Sequence, residues 1–185
     1  MKIISKLLLS LTFAVSAVTG TAVAAPVALD VGTYAGNGCC NFGLRGYWFT
    51  APKAFRITGL SLPTGAAGGT GSTLEVLRFN SPVPNWTGST NDFSSLGFWA
   101  DQSSVSTDIS VDAGDIIGVL GYSGGNAHTP YNATSGNYAT TLDGMGITLQ
   151  RLGMQFLGQA HDVWTEVGGT IGTIGLTYDV EARST

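Results

Sequence analysis

The sequence predicts an all-β chain folded as a two-sheet, jelly-roll-like sandwich of about eight strands. Three observations carry that expectation. Short apolar runs are punctuated by Gly, Pro, Asn and Asp instead of merging into a helical period. Residues 105–111 alternate strictly: Val105, Thr107, Ile109 and Val111 face one way, and Ser106, Asp108 and Ser110 the other. The last run repeats the pattern, with Ile174, Leu176, Tyr178 and Val180 set between Gly175, Thr177, Asp179 and Glu181.

Six further candidates complete the set: 44–50, 55–62, 73–79, 116–120, 147–156 and 163–167. The turns between them agree. Pro63-Thr64-Gly65 through Gly71 reads as a flexible loop after the second strand, and Asp112-Ala113-Gly114-Asp115 as a tight turn after 105–111. Residues 121–144 read as the longest loop-like region, closed by the hairpin signal Asp143-Gly144. The 147–156 run is ambiguous, because Leu149, Leu152 and Phe156 also fit a helical face. Gly146 and Gly153 weigh against a helix, at about 1 kcal/mol each relative to Ala. The strand reading then calls for a register change at a bulge.

The first residues are expected to be a cleavable export signal. Lys2 and Lys6 form a positive start, 7–18 is an uncharged apolar run, and Ala22-Val23-Ala24 is a small-x-small cleavage pattern. The run is shorter than the ~20 apolar residues of a spanning helix and is broken by Ser10, Thr12 and Ser16. Cleavage after Ala24 leaves 25–185 as one domain with no lipid-embedded anchor, secreted to the periplasm or the medium. Six of the eight basic residues then remain against twelve acidic ones, scattered along the chain, which argues against a nucleic-acid partner. Charged residues make up 11% of the sequence, against about 25% in ordinary globular proteins, so the surface is built on hydroxyls, amides and glycine. Such surfaces suit extracellular β proteins, self-packing subunits and partners of polysaccharides.

Three segments stand out together: Gly46-Tyr47-Trp48-Phe49-Thr50-Ala51-Pro52, then Phe55-Arg56-Ile57-Thr58-Gly59-Leu60, and later Val111 to Asp115 leading into Ile116-Ile117-Gly118-Val119-Leu120. Over about residues 44–121 the chain resembles secreted bacterial β-sandwich domains found in surface proteins of the PEP-CTERM type. It lacks their Pro-Glu-Pro, apolar and basic tail. The resemblance implies a non-catalytic extracellular module and brings no site residues with it.

Several constellations could carry chemistry. Gly121-Tyr122-Ser123-Gly124-Gly125 matches the nucleophile-elbow pattern after a strand, and Ser123, Asp143 and His161 follow the order of a triad. An elbow needs a helix next, and 126–144 has no helical period, so a Gly-rich turn is the expected reading. His128 and His161 are the only histidines and form no short-spaced ligand cluster. Asp112 and Asp115 flank a glycine turn and are the candidate ligands for calcium, which takes six to eight oxygens. The competing reading is a turn in which the carboxylates bond to their own backbone.

Cys39 and Cys40, adjacent and the only cysteines, leave three states open: a strained vicinal disulfide, disulfides to another chain, or free thiols. Aromatic residues crowd the predicted loops: Trp86, Trp99, Tyr122, Tyr131, Tyr138 and Trp164. Exposed rings of this kind stack on sugar faces. The expected function is therefore binding of a glycan or surface polymer, with Trp86, Trp99, Tyr122 and Tyr131 stacking and Asp101 and Asn126 orienting hydroxyls. Self-assembly into a matrix, fibre or surface layer is the alternative, and a hydrolase or metalloenzyme the third.

Overall fold

The computed structural model describes residues 25–38, 43–66, 70–124, 128–153 and 158–180. Residues 1–24, expected to be an export signal, lie outside them, as do Cys39, Cys40 and Asn126. Among the described residues the fold is all-β. Fourteen strands, numbered in chain order, form three sheets in which every strand ladder is antiparallel.

The small sheet orders β1 (Val27–Ala28), β14 (Gly175–Asp179), β4 (Phe55–Ser61) and β7 (Ser104–Val111). The large sheet runs β10 (Tyr138–Leu142), β11 (Met145–Gly153), β3 (Arg45–Thr50), β8 (Ile116–Tyr122), β5 (Thr73–Phe79) and β6 (Phe93–Ala100), with the short β12 (Trp164–Thr165) also paired to β11. A third sheet holds β13 (Thr170–Gly172), β9 (Thr129–Ser135) and β2 (Tyr34–Gly38).

The core follows from the position of each strand. β7 lies at an edge of the small sheet, so its odd residues turn inward and its even ones stay exposed. β8 lies in the middle of the large sheet with both faces covered, so a continuous apolar run replaces alternation. On its front face, Tyr47, Phe49, Leu74, Val76, Ile117 and Val119 meet Phe55, Ile57, Leu60, Val111, Leu176 and Tyr178 of the small sheet, a sandwich-like core. On its back face, Trp48, Leu77, Phe79, Leu120, Tyr122 and Leu152 are covered by Val83 and Val163, which lie outside the strands.

All eight expected strands are present, with ends shifted by a few residues. The other six answer to weaker signals. Residues 121–144 are largely strand: β9 pairs with β2 and β13, and β10 folds back on β11. The hairpin at Asp143-Gly144 is as expected, with Leu142 opposite Met145 and positive φ at both turn residues. Residues 145–153 form a strand and no helix, and β11 pairs with β10 and β3 without the expected bulge. β6 was hidden because Ser94-Ser95 and Phe98-Trp99 break the alternation, and it lies at an edge with a register shift against β5.

Candidate ligand-binding site

The site is assembled on the loop-covered back of the large sheet, around Thr165. This threonine is buried, and its Oγ1 accepts a hydrogen bond from Trp48 Nε1 (2.8 Å) while donating to the Val83 carbonyl (3.1 Å). Its backbone N–H donates to the Pro84 carbonyl (2.7 Å), and its own carbonyl accepts from the Trp86 N–H (3.0 Å). β12 is meanwhile fixed by its pairing with β11, Leu152 opposite Thr165 and Gly153 opposite Trp164. The segment carrying Trp86 is thus clamped against β12, and the Trp86 ring packs on Trp164 with centroids 4.9 Å apart and planes at 52°. The two rings differ in access: Trp164 is 3% exposed and Trp86 58%.

Charge gathers around this stack. The Arg45 guanidinium lies 5.8 Å from the Trp164 ring centre, a cation–π distance. Glu166, next but one along the chain, bridges two arginines, meeting Arg45 Nη2 at 3.0 Å and Arg151 Nε at 2.5 Å. Arg151 also lies 5.2 Å from the Tyr131 ring centre, and its Nη2 donates to the Tyr131 hydroxyl at 3.4 Å. Burial pushes the Tyr131 phenol pKa up, against the opposing pull of the Arg151 and Arg45 charges. Gly169 makes room for the guanidinium: a Cβ there would fall 1.7 Å from Arg151 Nη1, and its positive φ also favours glycine.

A depression of ≈ 450 Å³ opens beside this cluster, lined by Trp86, Arg151, Trp164, Glu166, Val167, Gly168 and Gly169. That volume suits one or two sugar rings or a molecule of similar size. Val167, 82% exposed, and Trp86 give it an apolar rim. The chemistry on offer is a ring face for stacking, a planar guanidinium fork for oxygen pairs, and a carboxylate to accept hydrogen bonds from hydroxyls.

Of the residues expected to bind, Trp86 lines the depression and Tyr131 supports Arg151 from behind. The others lie elsewhere. Trp99 is on β6, not in a loop; its ring lies over Gly97, where a Cβ would come within 2.3 Å, and it packs against the front core. Tyr122 ends β8 and is 4% exposed in the back cluster. Asp101 turns the chain between β6 and β7 with φ 58° and accepts from the Gly71 N–H at 2.6 Å. Asn126, like Cys39 and Cys40, falls outside the described residues.

The remaining constellations have local partners. Asp115 Oδ2 accepts from the Asp112 N–H (2.9 Å) and pairs with Arg78 (3.0 Å), as in a self-bonded turn. Among the described residues, no group of three or more His, Cys, Asp or Glu side chains comes together around a metal-sized space. Ser123 is fully buried, its hydroxyl donating to the Ala66 carbonyl and its backbone bridging to His128, so it is no exposed elbow nucleophile. Asp143 pairs with Lys53, and His161 with Asp162, so neither joins Ser123 in these contacts.

Arg45, Arg151 and Glu166 were missed by sequence reasoning. For the two arginines the available signal was their isolation: single charges in β3 and β11 of a chain with only eight basic residues; Glu166, just past β12, carried none. No family model matches the chain, and no curated protein or solved structure matches it. The resemblance at 44–121 therefore stands on its motif residues alone.

Proposed function

We propose that the protein is a secreted, non-catalytic module, a jelly-roll-like sandwich that binds a glycan or surface polymer at the Trp86 depression. One observation carries this reading: a tryptophan left 58% exposed while packed, tilted, on a buried second tryptophan. Exposing so much indole without a partner leaves apolar surface in water, at about 25 cal/mol per Å². The ring is held ready by contacts that have nothing to do with its outer face. A sugar ring laid on that face would cover it, with its hydroxyls within reach of Arg151 and Glu166.

The test is co-sedimentation of the protein with a panel of insoluble polysaccharides, beside a polymer-free control and the Trp86→Ala variant. The expected result is pelleting with particular polymers and at least a tenfold loss of affinity in Trp86→Ala, with the fold retained. Equal pelleting of both proteins would remove the site. Pelleting in the polymer-free control would point instead to self-assembly.

A further inference from the structure

The depression is lined by one cation and one anion, and they hold each other. Arg151 Nε meets Glu166 Oε2 at 2.5 Å, and the two side chains are 19% and 20% exposed. The second Glu166 oxygen, Oε1, meets Arg45 Nη2 at 3.0 Å, but the Arg45 side chain is 5% exposed and lies behind Glu166, outside the lining. The Arg151 guanidinium is positioned by Tyr131 on its face and by the Gly169 backbone beside Nη1. The polar wall of the depression is thus a fixed, closed ion pair, and Gly168 adds no side chain in front of it.

A closed pair works against charged ligands of either sign. A carboxylate drawn to Arg151 comes up against the Glu166 carboxylate, and an ammonium drawn to Glu166 comes up against the Arg151 guanidinium. Either binds well only by prising the pair apart, which leaves a partly buried charge without its partner. A hydroxyl group meets no such conflict, because it both donates and accepts. The guanidinium has further N–H donors and the carboxylate further lone pairs. Two neighbouring hydroxyls can therefore serve both partners at once, one accepting from Arg151 and one donating to Glu166, with the pair intact. Hydrogen bonds to charged groups are the stronger kind. The exposed Trp86 ring flanks the same space and takes the apolar face of the sugar that carries the hydroxyls. At long range, a chain of net charge −4 offers a polyanion no attraction.

We propose that the ligand is a neutral polysaccharide, with two neighbouring hydroxyls on the Arg151–Glu166 pair and the ring that bears them laid on Trp86. This inference rests on the glycan-binding reading above and adds the charge class and the polar contact. The two can fail separately.

The experiment measures sedimentation affinities of the protein for cellulose, chitin, mannan and starch, and for each polymer after dense carboxymethylation, aminoethylation or hydroxyethylation. Only the part of the affinity lost in Trp86→Ala is counted, which removes plain ion exchange with the charged matrices. At least one neutral polymer should bind, with an affinity that changes by less than about twofold between low and physiological salt. Its carboxymethyl and aminoethyl forms should each bind about tenfold more weakly or worse. The hydroxyethyl form, similar in bulk and uncharged, should stay within about threefold of its parent. Glu166→Gln frees Arg151 from its carboxylate and should narrow or reverse the preference for the neutral over the carboxymethyl polymer. An equal loss for every form in that variant would overturn the role of the pair. The wild-type comparison does not need Glu166→Gln, so a poorly folding variant leaves the test intact. A charged form that binds as tightly as its neutral parent, or binding to charged forms alone, would overturn the neutral-ligand inference and leave the binding module standing. Absence of Trp86-dependent binding to every polymer would overturn both.

Discussion

The two faces of the large sheet are buried by different means. The front meets another sheet: Tyr47, Phe49, Ile117 and Val119 close against Ile57, Leu60 and Leu176 with strands on both sides. The back is covered by irregular chain, Val83 and Val163, reached from 80–92 and 158–163. A sheet brings its backbone hydrogen bonds already satisfied, whereas a covering loop must find partners for each polar group it buries. The back is accordingly threaded with polar links between its covering loops and the sheet, while in the front core the Tyr47 hydroxyl donates to the Ile174 carbonyl (2.9 Å). Trp48 and Val83 meet at Thr165, and the Glu75 carboxylate, fully buried, accepts from Ser95 Oγ (2.7 Å) and the Ala160 N–H (2.8 Å). The lesson is that the sandwich-like core and the site are separable. The front gives rigidity, and the loop-covered back carries Trp86 and Glu166, outside the strands, beside Trp164 of the short β12.

The strongest way to test that separation is to damage the front. Phe49 is 1% exposed and packs against Tyr47 and Phe55, with ring centres 6.4 and 6.3 Å away. Phe49→Ala should cost about 3–5 kcal/mol, from lost transfer energy and the cavity left behind. Denaturant unfolding followed by intrinsic tryptophan fluorescence and by circular dichroism should show one coincident transition at lower denaturant. Two separated transitions would mean that the faces unfold independently and that the sheet does not unite them.

How much of this was legible in the sequence follows the same division. Strands buried on one face, such as β7 and β14, announce themselves by alternation, and β5 was readable to the residue because Leu74, Val76, Leu77 and Phe79 stand between the loop ending at Gly71 and Asn80. The third sheet was not readable. Thr129–Ser135 and Tyr34–Gly38 are rich in Asn, Gly, Ser and Thr, and they form strands only because each supplies the other's hydrogen bonds. The site was half legible. Aromatic composition identified Trp86, but nothing local distinguishes its exposed ring from Trp99, which packs against Gly97 and the core. One ion pair of the site, Arg45 to Glu166, joins positions more than a hundred residues apart, and only the pairing of β3, β11 and β12 brings them together.

The back face offers a milder test, through Glu75. Desolvation raises the pKa of its carboxyl, more than the donors Ser95 and Ala160 lower it. The folded state therefore holds this proton more tightly than the unfolded chain does. Any stabilisation from the group is complete below the ordinary glutamate pKa and is lost as pH rises through the raised value. Glu75→Gln removes the titration, so the variant should gain stability relative to wild type as pH rises from the ordinary glutamate pKa, about 4, through the raised value. Denaturation midpoints of the two proteins across that range check the sign. A constant difference would show that the two donors fully compensate the buried charge.

The smallest effect on stability, and the sharpest form of the comparison, belongs to the tryptophan pair. Trp164 is buried, packed under Arg45 and Trp86, while Trp86 shows most of its ring to solvent. Trp86 keeps its segment in place through its backbone N–H to Thr165, a bond that truncating the side chain leaves intact. Trp86→Ala should therefore change unfolding free energy by no more than about 0.5 kcal/mol, the range of ordinary surface substitutions. Trp164→Ala, at the other side of the same contact, should cost about 3–5 kcal/mol. Equilibrium unfolding of both variants decides the matter. If Trp86→Ala costs as much as Trp164→Ala, the outer ring is part of the covering that holds the back of the sheet, and its exposure is incidental to packing. If the costs separate as expected while polymer binding falls with Trp86, the stack has a structural inner half and a recognising outer half, supported by side chains that the ligand need never touch.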